Sequence, residues 1–153
     1  MSFKLATSSF SNGGEIPKKF TCSGADVSPE LAWSEAPAGT KSFALIADDP
    51  DAPGGTYTHW VVYDLPANKA SLPENVAKTD EISGGGKQGR NDFRKIGYGG
   101  PCPPPGKAHR YFFRLNALDK MLNLSAGAGR QDVEQAMKGH VLGEAEVMGR
   151  FAR

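Results

Sequence analysis

The stretch Gly97–Arg114 reads Gly-Tyr-Gly-Gly-Pro-Cys-Pro-Pro-Pro-Gly-Lys-Ala-His-Arg-Tyr-Phe-Phe-Arg, a glycine- and proline-rich loop running straight into an alternating segment. Gly99 and Gly100 allow a close approach to the main chain. Pro101, Pro103, Pro104 and Pro105 fix φ and stiffen the loop. His109 and Tyr111 fall two apart, so a strand points both rings to one face, and Phe113 and Leu115 carry that face into a core. A stiff loop ending in two same-face polar rings can build a small polar pocket. The same pattern also fits a tight loop feeding an ordinary strand, and the residues alone leave both readings open.

Upstream, two further strands are legible. Ser42–Ala47 is apolar on both faces, the pattern of a central strand. It ends in Asp48-Asp49-Pro50-Asp51-Ala52-Pro53-Gly54-Gly55, which reads either as a turn capped by its own aspartates or as a rigid rim carrying carboxylates. Thr58–Leu65 is rich in β-formers, with His59, Val61, Tyr63 and Leu65 expected on one face and Trp60, Val62 and Asp64 on the other. Shorter strands are expected within Phe3–Phe10 and at Leu31–Trp33. Pro66–Gly106 lacks periodicity, and a long segment of this kind is expected to form part of a site wall. Downstream, Val133, Met137, Val141, Ala145 and Met148 follow helical spacing, which predicts a C-terminal helix over Gln131–Met148.

Composition narrows the function. The 153 residues carry a net charge of +1, which fits a single domain, 1–153, with no global field for nucleic acid or an anionic membrane. No apolar run approaches a membrane span, and the first residues lack the apolar core of a signal peptide, so a cytoplasmic location is expected. The basic residues Lys87, Arg90, Arg94 and Lys95 read as a solvated loop or an anion funnel. Gly84–Arg90 fails the spacing of a phosphate loop, and no GxSxG elbow is present. Cys22 and Cys102 lack CxxC spacing, so no zinc site or other cofactor is expected. In a reducing compartment both thiols stay free; sequence alone leaves their pairing open.

The strand ends can converge at one sheet edge. Asp49, Asp51, His59, His109 and Tyr111 would then surround a small anion, with backbone N–H groups near Gly99–Gly100 as a nest. The imidazoles, amides and phenol donate, and the aspartates orient the imidazoles. Asp49-Pro50-Asp51-Ala52-Pro53, His59-Trp60-Val61-Val62, Gly100-Pro101-Cys102-Pro103-Pro104 with Gly106, and His109-Arg110-Tyr111 resemble the phosphatidylethanolamine-binding protein family, also called Raf kinase inhibitor-like. The short form, with Cys22-Ser23-Gly24, Ser28-Pro29 and Leu31-x-Trp33, is similar to its bacterial and archaeal branch.

The resemblance spans about Phe10 to the chain end. It implies a mainly β fold: a β-sandwich with a large central antiparallel sheet, a second smaller sheet and few helices. It implies an anion pocket lined by Asp49, Asp51, His59, His109 and Tyr111, with Gly100 and Pro101 as its backbone rim, and an Ala52–Pro53 bond at a position where family members can be cis. Phe151 stands where the family often has tyrosine. The expected function is capture of a phosphate, phosphorylated headgroup or carboxylate, possible regulation of a partner protein such as a kinase, and possible homodimerisation through Trp33, Trp60 or Tyr98. The alternative is a phosphoester hydrolase using the Asp/His/Tyr pocket.

Overall fold

The structure is a computed structural model, and it describes residues 2–153. Among the described residues eight strands and one short α-helix follow in order, with a single 3-10 turn at Lys18–Phe20: β1 (Lys4–Ala6), β2 (Leu31–Ser34), β3 (Ser42–Asp49), β4 (Tyr57–Pro66), β5 (Ser71–Leu72), β6 (Lys87–Gln88), β7 (His109–Leu118), α1 (Arg130–Met137) and β8 (Val141–Phe151). They form a five-stranded antiparallel sheet, β6-β4-β3-β7-β8, and a three-stranded sheet, β1-β2-β5. β3 is buried along its whole length and sits at the centre of the large sheet, as its two-sided apolar pattern predicts.

The large sheet is covered on both faces. Phe43, Leu45 and Ala47 of β3 join Phe113, Leu115 and Ala117 of β7 in a core closed by Leu5, Leu31 and Trp33 of the small sheet. Trp33 and Phe43 meet there with ring centroids 5.5 Å apart. On the opposite face Ala44, Ile46, Val61 and Tyr63 pack against Val133 and Met137 of α1. The result is a sheet-on-sheet sandwich with a helix as a third, partial layer.

The expected C-terminal helix is corrected. α1 stops at Met137, Gly139 takes φ +83°, and the chain returns as the edge strand β8. A spacing of four satisfies period two as well as a helical turn, so Val141 and Ala145 fit either element. The buried set Ala145, Val147, Gly149 and Phe151 shows the strand period. Gly149 is needed because a Cβ there would lie 2.4 Å from Ile16 Cγ1.

Strict alternation in β4 is also corrected. Its register with β3 shifts twice. At the first shift Asp64 takes φ +55° and its carboxylate accepts the Leu122 and Asn123 amides at 2.7 and 3.0 Å. Leu65 thereby joins Trp60 and Val62 in the sandwich core. At the second, Ala47 pairs with Trp60 and Asp48 with Thr58, so His59 is skipped. This bulge re-aims the His59 ring away from the Val61 face.

Two further expectations change. Ala52–Pro53 is trans; no peptide bond among the described residues is cis. Cys22 and Cys102 are joined in a disulfide, which removes the argument that tied free thiols to a reducing compartment. No described helix is long and apolar enough to cross a membrane.

Candidate functional site

The C-terminal end of β3, the start of β4 and the start of β7 meet at one edge of the large sheet, as antiparallel pairing requires. Asp49 closes β3 and His109 opens β7. Asp49 Oδ2 accepts the His109 Nδ1–H at 2.7 Å, and Asp49 Oδ1 accepts the Asp51 amide at 2.8 Å. The carboxylate therefore fixes the imidazole tautomer and leaves Nε2 as the ring's other nitrogen.

His59 is locked from the other side. Its Nδ1–H donates to the Gly99 carbonyl at 2.7 Å, and the Gly99 amide donates back to the His59 carbonyl at 2.9 Å. The ring packs edge-on against Tyr111 and Phe93, with centroids 5.3 and 5.4 Å away. Burial is the main influence on this imidazole and lowers its pKa below 6.5, with the Gly99 carbonyl pulling the other way. The neutral ring then offers the Nε2 lone pair.

Tyr111 is 3% exposed, and its hydroxyl makes no hydrogen bond of good geometry among the described residues, although the Asp49 carboxylate lies close enough to influence it. Burial first, and the Asp49 carboxylate second, raise the pKa of the phenol, so it stays an O–H donor. Together Asp49, His59, His109 and Tyr111 line a cavity of about 260 Å³. Its remaining wall is Ala52, Pro53, Tyr57, Phe93, Cys102, Pro103 and Pro104.

The other expected site residues lie outside that cavity. The Asp51 carboxylate points to Arg110, accepting from its amide, Nε and Nη2 at 2.9 Å each. The hydrogen bonds to Arg110 hold the Asp51 carboxyl at about 2. The Gly100 amide donates to Asp26 Oδ1 at 2.7 Å, and the Pro101 carbonyl accepts the Cys22 amide at 3.1 Å. The amides of Gly99 and Gly100 are thus both engaged within the protein. Phe151 is buried and pairs with His109 across the β7–β8 ladder.

Neither Tyr57 nor Phe93 is singled out by the sequence as a wall residue. Tyr57 lies one residue before the expected β4, and Phe93 lies in the aperiodic segment expected to form a wall. Among the described residues no cluster of three or more His, Cys, Asp or Glu side chains is placed to hold a metal ion.

The family model for phosphatidylethanolamine-binding protein matches residues 6–152. The chain belongs to the phosphatidylethanolamine-binding protein family. Relatives within it include a UPF0098 protein of Aquifex aeolicus, 55% identical over 147 residues, covering 95% of this chain and 85% of that one. A UPF0098 protein of Methanothermobacter thermautotrophicus is 50% identical, covering 97% of this chain and 98% of the relative. The solved structure of a phosphatidylethanolamine-binding protein homolog from Chlamydia trachomatis superposes with TM-score 0.91 at 38% identity, covering 99% and 98% of the two chains. Escherichia coli YbcL, described as a new member of the mammalian PEBP family, gives TM-score 0.91 at 32% identity, covering 100% and 99%.

Proposed function

We propose that the cavity binds a small oxyanion, the phosphate or carboxylate group of a soluble ligand, and that the protein is a binding module. The observation that carries this reading is the buried Tyr111 hydroxyl, a donor left without a partner beside two oriented imidazoles. A buried polar group of this kind is costly unless something from outside completes it. An oxyanion can do so. It can accept from Tyr111 O–H and from a protonated His109 Nε2–H, whose charge Asp49 balances. A neutral His59 Nε2 can accept from a protonated phosphate oxygen, so a phosphate monoanion uses all three groups. The apolar wall of Ala52, Pro53, Phe93 and the prolines leaves room for a small substituent.

The Asp49–His109 pair also has the form of a general base, which keeps phosphoester hydrolysis as the competing reading. No serine, threonine or free thiol lines the cavity as a nucleophile, and that favours binding.

Two-dimensional NMR of labelled protein, titrated with phosphate, phosphoethanolamine and acetate and followed for hours, tests both. Saturable shifts at His59, His109 and Tyr111 with unchanged ligand are expected. A hydrolysis product would make the protein an enzyme. The absence of any shift with all three ligands contradicts the oxyanion reading.

A further inference from the structure

The Cys22–Cys102 disulfide joins two cavities. Cys102 lines the candidate ligand cavity, while Cys22 lines a second one of about 250 Å³. Phe93 borders both, so its ring and the disulfide form a common partition. Cys22 is exposed and Cys102 is half-buried. Cys22 is the more exposed of the two residues, so the second cavity is the side from which a thiol in solvent can approach the pair. Two lysines border that approach, Lys95 and Lys78, the latter with Nζ 3.3 Å from the Asp26 carbonyl. One carboxylate opposes them, Asp26, and its Oδ1 already accepts the Gly100 amide. The surplus of positive charge favours an acidic thiol over a neutral or cationic one.

We propose that the Cys22–Cys102 pair is a thiol-exchange site that takes an acidic low-molecular-weight thiol through the second cavity and, on opening, loosens the wall of the ligand cavity. The exchange stands by itself; its consequence for the ligand rests on the oxyanion reading above. The incoming thiolate attacks Cys22 Sγ. The bond between the two protein sulfurs breaks, a mixed disulfide forms on Cys22, and Cys102 leaves as a thiolate that takes a proton from water. A second thiolate attacks the small-molecule sulfur of the adduct, forming the small-molecule disulfide and releasing Cys22 as a thiolate that likewise takes a proton from water. Two small thiols are oxidised as one protein disulfide is reduced.

The coupling to the ligand cavity runs through residues 98–102. The Tyr98 hydroxyl donates to the Phe20 carbonyl at 2.7 Å, and the Cys22 amide to the Pro101 carbonyl at 3.1 Å. These bonds keep the segment near its place after reduction, so the fold survives. Cys102 itself loses its tether and leads directly into the cavity wall at Pro103 and Pro104.

The test treats folded, oxidised protein with reduced glutathione and, separately, with neutral 2-mercaptoethanol, quenched in acid and mapped by mass spectrometry. Expected is exchange without denaturant, with the first adduct on Cys22. After correction for thiolate fraction, glutathione should react about threefold faster than the neutral thiol, the factor of a weak exposed charge pairing. The Lys78→Ala, Lys95→Ala double variant should erase that preference. Phosphate affinity of the reduced protein should fall about threefold or more, as for a site closed only part of the time. A disulfide that resists until the protein unfolds, a first adduct on Cys102, or equal corrected rates would overturn the exchange site. Equal phosphate affinity in both redox forms would overturn the coupling. Exchange at Cys22 in a protein that binds phosphate in neither form would contradict the oxyanion reading, and the exchange site would stand.

Discussion

Asp48 and Asp49 are neighbours on one strand, and they face opposite ways into opposite chemistries. Asp48 lies on the helix side of the large sheet, and Arg114 Nη1 bonds both of its oxygens at 2.8 Å. Arg130, at the start of α1, adds a third bond at 2.7 Å. Both oxygens are bonded by guanidiniums from within the chain, three bonds in all, and the cluster pins α1 to the sheet. Asp49 lies on the other side and meets one imidazole and one amide. Next to it, Tyr111 keeps a hydroxyl with no described partner. The two carboxylates are equally buried, at 2% and 3% exposure, so burial does not separate them. What separates them is unused hydrogen-bonding capacity. The saturated face is a structural clamp, and the unsaturated face is where a ligand has something to add.

The largest test of this contrast is Asp48→Ala. It removes the carboxylate that two guanidiniums share, and unfolding in urea should show a loss of about 3 kcal/mol, toward the low end for a broken ion pair because Arg130 keeps Glu134, Arg114 keeps Glu146 and both keep contact with water. Asp49→Asn keeps an acceptor and its shape, so about 1 kcal/mol is expected there. Equal losses in the two variants would remove the distinction between clamp and site.

Tyr111→Phe should act with the opposite sign. Deleting a buried hydroxyl that has no partner is expected to stabilise the unliganded protein by about 1 kcal/mol, read from the same urea curves. A destabilisation of similar size would mean that the hydroxyl is satisfied in the free protein.

A smaller effect concerns pH. The folded pKa of His59 lies below its unfolded value of 6.5, so the unfolded chain binds more protons as the solution is acidified through that value. Stability should fall as pH drops below about 6.5 and level off below the folded pKa. His59→Gln should flatten that part of the pH–stability profile, and an unchanged profile would assign the slope to other groups. The smallest effect belongs to Asp51→Asn. The Asp51–Arg110 pair is exposed to solvent, so Asp51→Asn should lower the urea midpoint at pH 7 only slightly. The contribution of Asp51 is present above its unfolded value of 3.8 and is lost as pH falls toward 2, so that small difference should close in an acid titration.

Much of this arrangement is legible from residue order. The apolar run of Ser42–Ala47 gives the central strand, and the period-two rings of His109, Tyr111 and Phe113 give β7 and its inward face. Asp49, His59, His109 and Tyr111, each carried by a short sequence motif, are among the residues that line the cavity. The remainder depends on long-range geometry that periodicity does not encode. The bulge at His59 is set by pairing with β3, so alternation alone places the ring on the wrong face. The final strand was hidden because its apolar positions fit two periods, and Gly139 and Gly143 were the local signals against a continuous helix. Asp51 reads as a site carboxylate until Arg110, 59 residues later in sequence, takes both of its oxygens. The disulfide spans 80 residues, and no spacing rule reaches that far.

The most direct test of the central claim is a calorimetric titration of inorganic phosphate into the wild-type protein and into Tyr111→Phe, both oxidised and at neutral pH. Saturable binding to wild type, weakened about tenfold or more in the variant, is the predicted result, the range for one hydrogen bond to a charged group. Equal affinity in the two proteins would contradict it, because the open hydroxyl that defines the site would then play no part in holding the anion.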